Sequence, residues 1–270
     1  MCAGSDASCG EIVMLSKVLR WVGHLTPDIR YVRAIPNRIL KPLHHLLGLS
    51  GGVVKVLGFS MRLEPSECID GNLWFKPHLY DRREIEYLLK RFPKEGVFID
   101  LGANIGFWSL RFAAELHKSR IYAIEANPVT FQTLCENIKI NDYFNIIPIN
   151  IGVSDEYGIF PLYCNDTGNR GGDSFSICFS ERNLIINVNV MPLAAILIDY
   201  GIEFVDLLKI DVEGLEETVL KKFFSEAPQS LWPKFVCAEI SHVPQVIDIM
   251  KTKGYRLVFT TNENCVFVLG

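Results

Sequence analysis

From residue 81 onward, short runs of apolar residues alternate with segments in which apolar residues recur at helical spacing. The apolar runs predict strands over Val97–Leu101, Ile121–Glu125, Ile146–Asn150, Asp206–Asp211 and Phe235–Ile240. The intervening segments predict helices over Asp81–Phe92, Phe107–Leu116, Thr130–Asn141, Leu215–Phe224 and Pro244–Lys253. Because apolar strands joined by helices are typical of a parallel sheet covered on both faces, the pattern predicts an α/β fold.

The end of the chain predicts a β-hairpin. Tyr255–Thr260 and Cys265–Leu269 read as strands on either side of the polar turn Asn262-Glu-Asn264. Such a hairpin adds an antiparallel strand at or near one edge of the sheet. Together with the five strands above, it gives a Rossmann-like, seven-stranded, mostly parallel sheet with a C-terminal β-hairpin.

Between Val153 and Met191 the alternation is interrupted. Two β-rich pieces, Gly158–Cys164 and Leu184–Met191, flank a stretch rich in glycine and polar residues, Asn165–Ser176. That stretch is long enough to be a lid or a substrate loop. We therefore interpret residues 153–191 as a β-rich insertion in the main domain.

The N-terminal part of the chain differs from the rest and is predicted to be a helical appendage, residues 1–78, on a main domain at 79–270. Residues 11–49 hold six Lys and Arg residues against Glu11 and Asp28, and their apolar residues recur at helical spacing. This basic amphipathic face could contact a membrane surface or an acidic partner. The favoured interpretation is plainer: a solvated face on a helix that packs on the main domain.

Composition and charge indicate an ordinary globular protein. Of the 270 residues, 49% are hydrophobic and 21% are charged, and the net charge of −4 does not favour nucleic-acid binding through bulk electrostatics. The eight cysteines form no C-x-x-C pair, which predicts buried thiols in a reducing cytoplasm. Neither a signal peptide nor a run of roughly 18–20 apolar residues is visible, so we expect a cytoplasmic protein without a transmembrane segment.

The segment Asp100-Leu-Gly-Ala-Asn-Ile-Gly106 joins a predicted strand to a predicted helix. Gly102 permits a tight turn and close approach of a ligand, and Gly106 lets the helix start near the sheet. Asn104 stands where the dinucleotide fingerprint G-x-G-x-x-G has its second glycine, which argues against a pyrophosphate. A nucleoside with a small zwitterionic tail fits instead, since its carboxylate can use the helix start and Asp100 can face its ammonium.

Acids also follow the next two strands. Glu125 can accept hydrogen bonds from both hydroxyls of a ribose, although a solvated acid at a strand end is a common alternative. Asp155, in Gly152-Val-Ser-Asp155, is predicted to meet the edge of the adenine. With the glycine loop, these residues predict a nucleoside site at the carboxyl edge of the sheet.

A second group of polar residues follows the two later strands of the sheet. In Lys209-Ile-Asp-Val-Glu-Gly214, an extended backbone would point Asp211 and Glu213 the same way. Glu239 ends the next strand, and His242 follows it. Carboxylates there can orient a substrate, act as a base or hold a hard cation, and a histidine suits proton abstraction near neutral pH. A structural role is the alternative for His242.

In these motifs the chain resembles the FkbM-type methyltransferases, within the class I S-adenosylmethionine-dependent enzymes. The resemblance covers the chain from about residue 79 onward, and it departs from the family pattern at Ile151-Gly152, where Ala is more usual. The matching motifs are Val97-Phe-Ile-Asp-Leu-Gly-Ala-Asn-Ile-Gly106, Ala123-Ile-Glu-Ala-Asn-Pro128, Asn150-Ile-Gly-Val-Ser-Asp155 and Leu208-Lys-Ile-Asp-Val-Glu-Gly214.

The resemblance implies S-adenosyl-L-methionine as methyl donor and O-methylation of a hydroxyl on a sugar or natural product. The expected donor contacts are Glu84, Asp100, Gly102, Asn104, Gly106, Glu125, Ala126 and Asp155. For catalysis we expect Asp211 or His242 as the base, with Glu213 and Glu239 orienting the acceptor. Asp211, Glu213 and Glu239 are also the candidate ligands of a divalent cation.

Three alternatives stay open. The first is N-methylation of a small amine, which needs no strong base once the amine is neutral. The second is a nicotinamide-dependent oxidoreductase, which the missing G-x-G-x-x-G disfavours. The third is a non-catalytic nucleoside-binding module, against which the acids and the histidine at the strand ends argue. The expected partner is a small-molecule or carbohydrate acceptor rather than a nucleic acid.

Overall fold

The computed structural model describes residues 6–29, 31–165, 173, 175, 183–241, 243 and 245–270. Within them the chain divides into two compact units, one up to Arg82 and one from Arg83 onward. We refer to them as unit 1 and unit 2. In the part of the chain that the structure describes, no helix has the length and apolar character needed to cross a membrane.

Unit 1 contains helices and one β-hairpin. Its elements are α1 Asp6–His24, a 3-10 turn Val32–Ala34, a π-helical segment Pro36–Leu40, α2 Lys41–Leu46, β1 Gly52–Val56, β2 Phe59–Leu63, α3 Cys68–Phe75 and a 3-10 turn Pro77–Leu79. The prediction of a helical appendage did not include this hairpin. Its two-residue turn, Leu57-Gly58, has positive φ at both residues, the geometry that joins tightly paired strands.

Unit 2 carries the main sheet. Its strands are β3 Val97–Leu101, β4 Arg120–Ile124, β5 Ile146–Ile149, β6 Gly152–Ser154, β7 Gly158–Asn165, β8 Asn183–Pro192, β9 Leu207–Ile210, β10 Phe235–Glu239, β11 Tyr255–Thr260 and β12 Asn264–Leu269. Its helices are α4 Arg82–Leu89, which begins at the unit boundary, α5 Phe107–Glu115, α6 Pro128–Ile140, α7 Leu193–Asp199, α8 Glu216–Glu226, α9 Val246–Thr252 and a 3-10 turn Gln229–Leu231.

The main sheet has seven strands in the order β11-β12-β10-β9-β3-β4-β5. The pairs formed by β12 with β10 and β11 are antiparallel, and the other pairs are parallel. The predicted fold class, including the C-terminal hairpin at one edge, is confirmed. Every residue of the central strands β3 and β9 is buried, as expected of apolar strands covered on both faces.

The insertion after β5 forms a second, three-stranded sheet in the order β6-β8-β7. β6 runs parallel to β8, and β7 runs antiparallel to it. The predicted lid, Asn165–Ser176, lies outside the described residues except for the strand end Asn165 and the isolated residues Asp173 and Phe175. Its role as a lid therefore stays a prediction.

Candidate active site

The carboxyl ends of β3, β4, β9 and β10 meet at one edge of the main sheet. This follows from the parallel pairing of β3 with β4 and β9, and of β9 with β10. Two non-glycine residues just beyond β3 and β9 have left-handed backbones, Asn104 with φ 49° and Glu213 with φ 51°. Strained backbone of this kind is concentrated at functional sites, because the surrounding structure must hold it in place.

The glycine loop after β3 packs closely against β9. Gly102 has φ 74°, and its amide donates to the carbonyl of Ile124 at 3.0 Å. A Cβ at Gly102 would lie 1.8 Å from the carbonyl oxygen of Asp211. The sequence interpretation explained this glycine by a tight turn and by the approach of a ligand. The structure adds a further reason, which is the close approach of the loop that follows β9.

Gly106 has a similar steric requirement. It has φ 91° and precedes α5, and a Cβ there would lie 2.5 Å from the Leu134 side chain, which is fully buried on α6. Gly106 therefore lets α5 begin against α6. The short turn between β3 and α5 depends on this contact and on the one at Gly102.

Glu125 shapes the glycine loop from the end of β4. Its carboxylate accepts from the backbone amides of Asn104 and Asn127, both at 2.9 Å. Burial raises the pKa of Glu125 to about 7, and these two amides oppose that shift. The side chain of Asn104 accepts from the amide of Ile105 at 2.8 Å, which supports its left-handed backbone.

Asp100 is fully buried, and only one of its two carboxylate oxygens accepts hydrogen bonds from the described residues. Its Oδ2 accepts from the amide and the hydroxyl of Ser109, at 3.1 and 2.7 Å. Its Oδ1 has no hydrogen-bond partner among the described residues and lies 4.0 Å from the Nζ of Lys209. Burial raises the pKa of Asp100, and the Lys209 ammonium opposes the rise.

Lys209 joins the two sides of the site, a role that the sequence analysis did not assign. Its buried ammonium donates to the carbonyl of Gly102 and to the carboxylate of Asp211, both at 3.0 Å. The signal was present in the sequence, because a lysine within the apolar strand Leu207–Ile210 must find partners for its charge. Which partners it finds depends on the pairing of β9 with β3, which are distant in sequence.

The acids beyond β9 and β10 are crowded together. A hydrogen bond joins the carboxyl groups of Asp211 and Glu239, and burial together with the negative charge of Asp211 raises the pKa of Glu239 to about 9. Burial, Asp211 and Glu216 raise the pKa of Glu213 to about 8. A hydrogen bond between two carboxyl groups requires a proton on one of them, so Asp211 and Glu239 titrate as a pair.

Glu216 is a second residue whose role the sequence analysis missed. It is buried at the start of α8 and accepts from the amides of Val212 at 2.8 Å and Gly214 at 3.1 Å. It therefore fixes the loop that presents Asp211 and Glu213. Ligand oxygens of Asp211, Glu216 and Glu239 lie within 4.8 Å of one another, so the grouping that could hold a cation contains Glu216 in place of Glu213.

The remaining predicted site residues lie elsewhere. Glu84 is buried on α4 and accepts from the hydroxyl of Thr261 at 2.5 Å, which holds it to the turn of the C-terminal hairpin. Ala126 packs against the cluster of Leu162, Cys164, Val188 and Val190 in the insertion. Asp155 is exposed after β6 and accepts from the Ser154 hydroxyl at 3.1 Å. His242 lies outside the described residues.

The insertion approaches the site at Asn127. The side chain of Asn127 caps α6 by accepting from the amide of Val129 at 2.8 Å. Its Nδ2 donates to the carboxylate of Asp173 at 2.6 Å. Because the backbone amide of Asn127 also donates to Glu125, an acid of the insertion lies two hydrogen bonds away from the predicted ribose acceptor.

Comparison with known proteins gives one family and several distant relatives. The methyltransferase FkbM domain model matches residues 100–257. Methyltransferase sdnD of Sordaria araneosa is 29% identical over 176 residues, which cover 54% of this chain and 65% of that protein. A tRNA(Phe) (4-demethylwyosine(37)-C(7)) aminocarboxypropyltransferase of Methanocaldococcus jannaschii is 32% identical over 150 residues, 54% of this chain and 53% of that protein.

Among solved structures, M. jannaschii TYW2 in complex with AdoMet is similar with a TM-score of 0.42 and 15% identity, over 82% of this chain and 87% of that one. The matches cover 65% of the Sordaria araneosa methyltransferase and 53% of the M. jannaschii aminocarboxypropyltransferase, so this chain spans between about half and two thirds of the length of these two relatives. The class that the fold and the family match define is the S-adenosylmethionine-dependent methyltransferases. Within that class, the chain belongs to the methyltransferase FkbM domain family, which confirms the resemblance in its motifs.

Proposed function

We propose that this protein transfers a methyl group from S-adenosylmethionine to a hydroxyl oxygen of a sugar or natural product. The observation that carries the proposal is the hydrogen-bonded pair of carboxyl groups, Asp211 and Glu239, one lysine side chain away from the glycine loop. An alcohol must lose its proton as it attacks a methyl group. This pair can accept that proton, and it lies at the same carboxyl edge of the sheet as the glycine loop.

The residues at the glycine loop fit the donor. Asp100 Oδ1 is a buried acceptor without a hydrogen-bond partner among the described residues, which suits an ammonium group. Glu125 accepts one amide at each oxygen, and a carboxylate has further lone pairs for the hydroxyls of a ribose. We assign Asp100, Gly102, Asn104, Gly106, Glu125 and Ala126 to the donor side, with Glu84 and Asp155 as outer contacts.

When bound, S-adenosylmethionine supplies an electrophilic methyl group. The protein's own part is to hold the acceptor oxygen in line and to take its proton, and alignment alone can contribute roughly 7–11 kcal/mol. Asp211 is held in place by Lys209 and shares a proton with Glu239. We propose Asp211, paired with Glu239, as the base, with His242 as the alternative and Glu213 orienting the acceptor.

Lys209 and the raised pKa values give this edge a way to hold its acids together without a metal. The Lys209 ammonium neutralises the charge of Asp211, and the proton between Asp211 and Glu239 removes the charge of Glu239. Both oxygens of Glu216 accept from backbone amides. We therefore expect turnover to survive exhaustive chelation. Turnover that is lost with the chelator and restored by Mg²⁺ would instead assign a cation to Asp211, Glu216 and Glu239.

The surrounding charge favours a small neutral or cationic acceptor over a nucleic acid. Asp173 and Asp211 lie near this edge, where their negative charges raise the pKa of Glu213, and they would repel a phosphate backbone. The same acids favour N-methylation of an amine as the second candidate function, since an ammonium would bind well beside them. Free thiols at Cys135, Cys164, Cys237 and Cys265 support a reducing, cytoplasmic setting.

A transfer screen with labelled donor tests the proposal. The acceptors are sugars and hydroxylated metabolites, with primary amines and tRNA as the competing classes. The proposal predicts label on a hydroxylated acceptor, and mass spectrometry should show the mass of one added CH₂. Label confined to amines or tRNA would overturn the acceptor class, and a larger added mass would indicate transfer of an aminocarboxypropyl group.

A further inference from the structure

One face of α1 is apolar and exposed. Met14, Val18, Trp21 and Val22 lie on the same side of the helix, and Leu25 follows its last residue. Met14, Trp21 and Leu25 are 68%, 64% and 60% exposed. A helix of unit 1 that served only to pack would turn its apolar face inward, so this arrangement needs another explanation.

The opposite side of α1 is the side that packs. Leu19 is buried, and a Cβ added at Gly23 would lie 2.5 Å from the carbonyl oxygen of Phe75 on α3. The side of α1 that packs against α3 is therefore narrow and carries small contacts, whereas the broader apolar side of the helix is exposed. This departs from the favoured sequence interpretation, in which the outer face of the helix was a solvated polar one.

A second exposed stripe follows along the π-helical segment and α2. Ile35, Ile39, Leu43 and Leu46 recur at spacings of four and three residues, and Leu46 is 81% exposed. Three residues between them, Pro36, Leu40 and His44, are buried. We call the two stripes together the apolar surface of unit 1. Exposed apolar side chains arranged in stripes of this kind are typical of interaction sites.

The charges beside the apolar surface are mostly positive. Lys17, Arg33 and Arg38 are exposed. Among the side chains described between residues 13 and 49, Asp28 is the acid, and it lies 3.7 Å from Arg33. Basic residues flanking an apolar face that carries an exposed tryptophan are typical of helices that lie in the interface of a membrane.

We propose that the apolar surface of unit 1 lies on an anionic phospholipid bilayer. Its apolar side chains would enter the headgroup boundary, and Lys17 and Arg38 would contact the lipid phosphates. A second copy of the chain is the competing occupant. It is disfavoured because two facing copies would bring Lys17 and Arg38 together, while Asp28, the acid among the side chains described between residues 13 and 49, already lies beside Arg33.

Co-sedimentation with vesicles tests this proposal on the full chain. Vesicles of phosphatidylcholine with phosphatidylserine should bind the protein, and binding should weaken as salt rises. Trp21→Glu combined with Leu46→Glu should lower the partition coefficient at least about tenfold. Phe144→Glu is the matched control, because Phe144 is 94% exposed in unit 2 and should leave binding unchanged. Lys17→Gln with Arg38→Gln should remove the preference for phosphatidylserine.

Binding of S-adenosylhomocysteine checks that each variant is folded, and it should be the same in all of them. The proposal is overturned if the wild-type protein stays in the supernatant at low salt. It is overturned equally if Trp21→Glu with Leu46→Glu binds vesicles as the wild type does. A dimer seen by light scattering without vesicles, and dissociated by that same pair of substitutions, would assign the surface to a second copy instead.

Discussion

The proposed donor half of the site, Asp100–Gly106 with Glu125, differs in construction from the proposed acceptor half, Asp211–Gly214 with Glu239. The donor half is fixed by backbone geometry, with glycines where the chain crowds and amides bonded to Glu125. The acceptor half is built from side-chain carboxyl groups whose charges oppose one another. A half with a rigid backbone suits the binding of the same donor in every reaction. A half with several carboxyl groups of raised pKa suits the transfer of a proton.

Gly102→Ala should have the largest effect, and it falls on the donor half. The added Cβ would lie 1.8 Å from the Asp211 carbonyl in a left-handed residue, so one half must shift away from the other. We expect the free energy of unfolding to drop by about 2–4 kcal/mol and donor binding to be lost. Thermal melts and calorimetry measure the two effects.

Gly52→Ala is the control for that substitution, since nothing lies within 4 Å of a Cβ at Gly52 in strand β1. It should leave the melting temperature and donor binding close to those of the wild type. If Gly102→Ala were as stable as Gly52→Ala, the close contact between the two halves would be wrong.

Lys209→Met removes the link between the halves. It leaves Asp100 and Asp211 without their cation, and breaking a buried ion pair costs about 3–5 kcal/mol. Denaturant titrations should show a smaller loss at acidic pH, where the acids gain protons, and Lys209→Arg should recover part of the stability. An equal loss at acidic and alkaline pH would mean that Lys209 acts through packing alone.

Donor affinity should depend on pH through Glu125, whose pKa is raised to about 7. The ionised carboxylate is the better acceptor for ribose hydroxyls, so affinity for S-adenosylhomocysteine should fall as pH drops from about 8 to about 6. Calorimetry across that range measures the change. In Glu125→Gln the affinity should be weak and independent of pH; a slope that persists would remove Glu125 from the donor half.

The acceptor half should make the protein less stable at alkaline pH. Because the folded-state pKa values of Glu213 and Glu239 are raised, their contribution to stability is full below their unfolded values and is lost as pH rises through about 8 and about 9. The melting temperature should therefore decline as pH rises from about 4.5, the ordinary pKa of a glutamate, to about 9, and should level off above that. Glu239→Gln should flatten the decline, and an unchanged slope would show that Glu239 ionises normally.

Gly102, Gly106 and Glu125 could be singled out from the sequence because they stand at fixed places in short motifs, and their role as donor contacts stays a prediction. The contacts that require the two glycines come from Asp211, beyond β9, and from Leu134 on α6, which the sequence did not reveal. The roles of Lys209 and Glu216 could not be predicted, since they depend on strands that pair out of sequence order and on a loop closing over its own amides. The β1–β2 hairpin was missed although its alternating side chains were visible in the sequence.

Asp211→Asn tests the central claim most directly, with turnover of labelled donor and calorimetric binding of S-adenosylhomocysteine measured on the same preparation. Asp199→Asn, on an exposed residue at the end of α7, is the control. The account predicts that Asp211→Asn abolishes methyl transfer and retains donor binding, while Asp199→Asn changes neither. Wild-type turnover in Asp211→Asn, or loss of donor binding together with turnover, would contradict it.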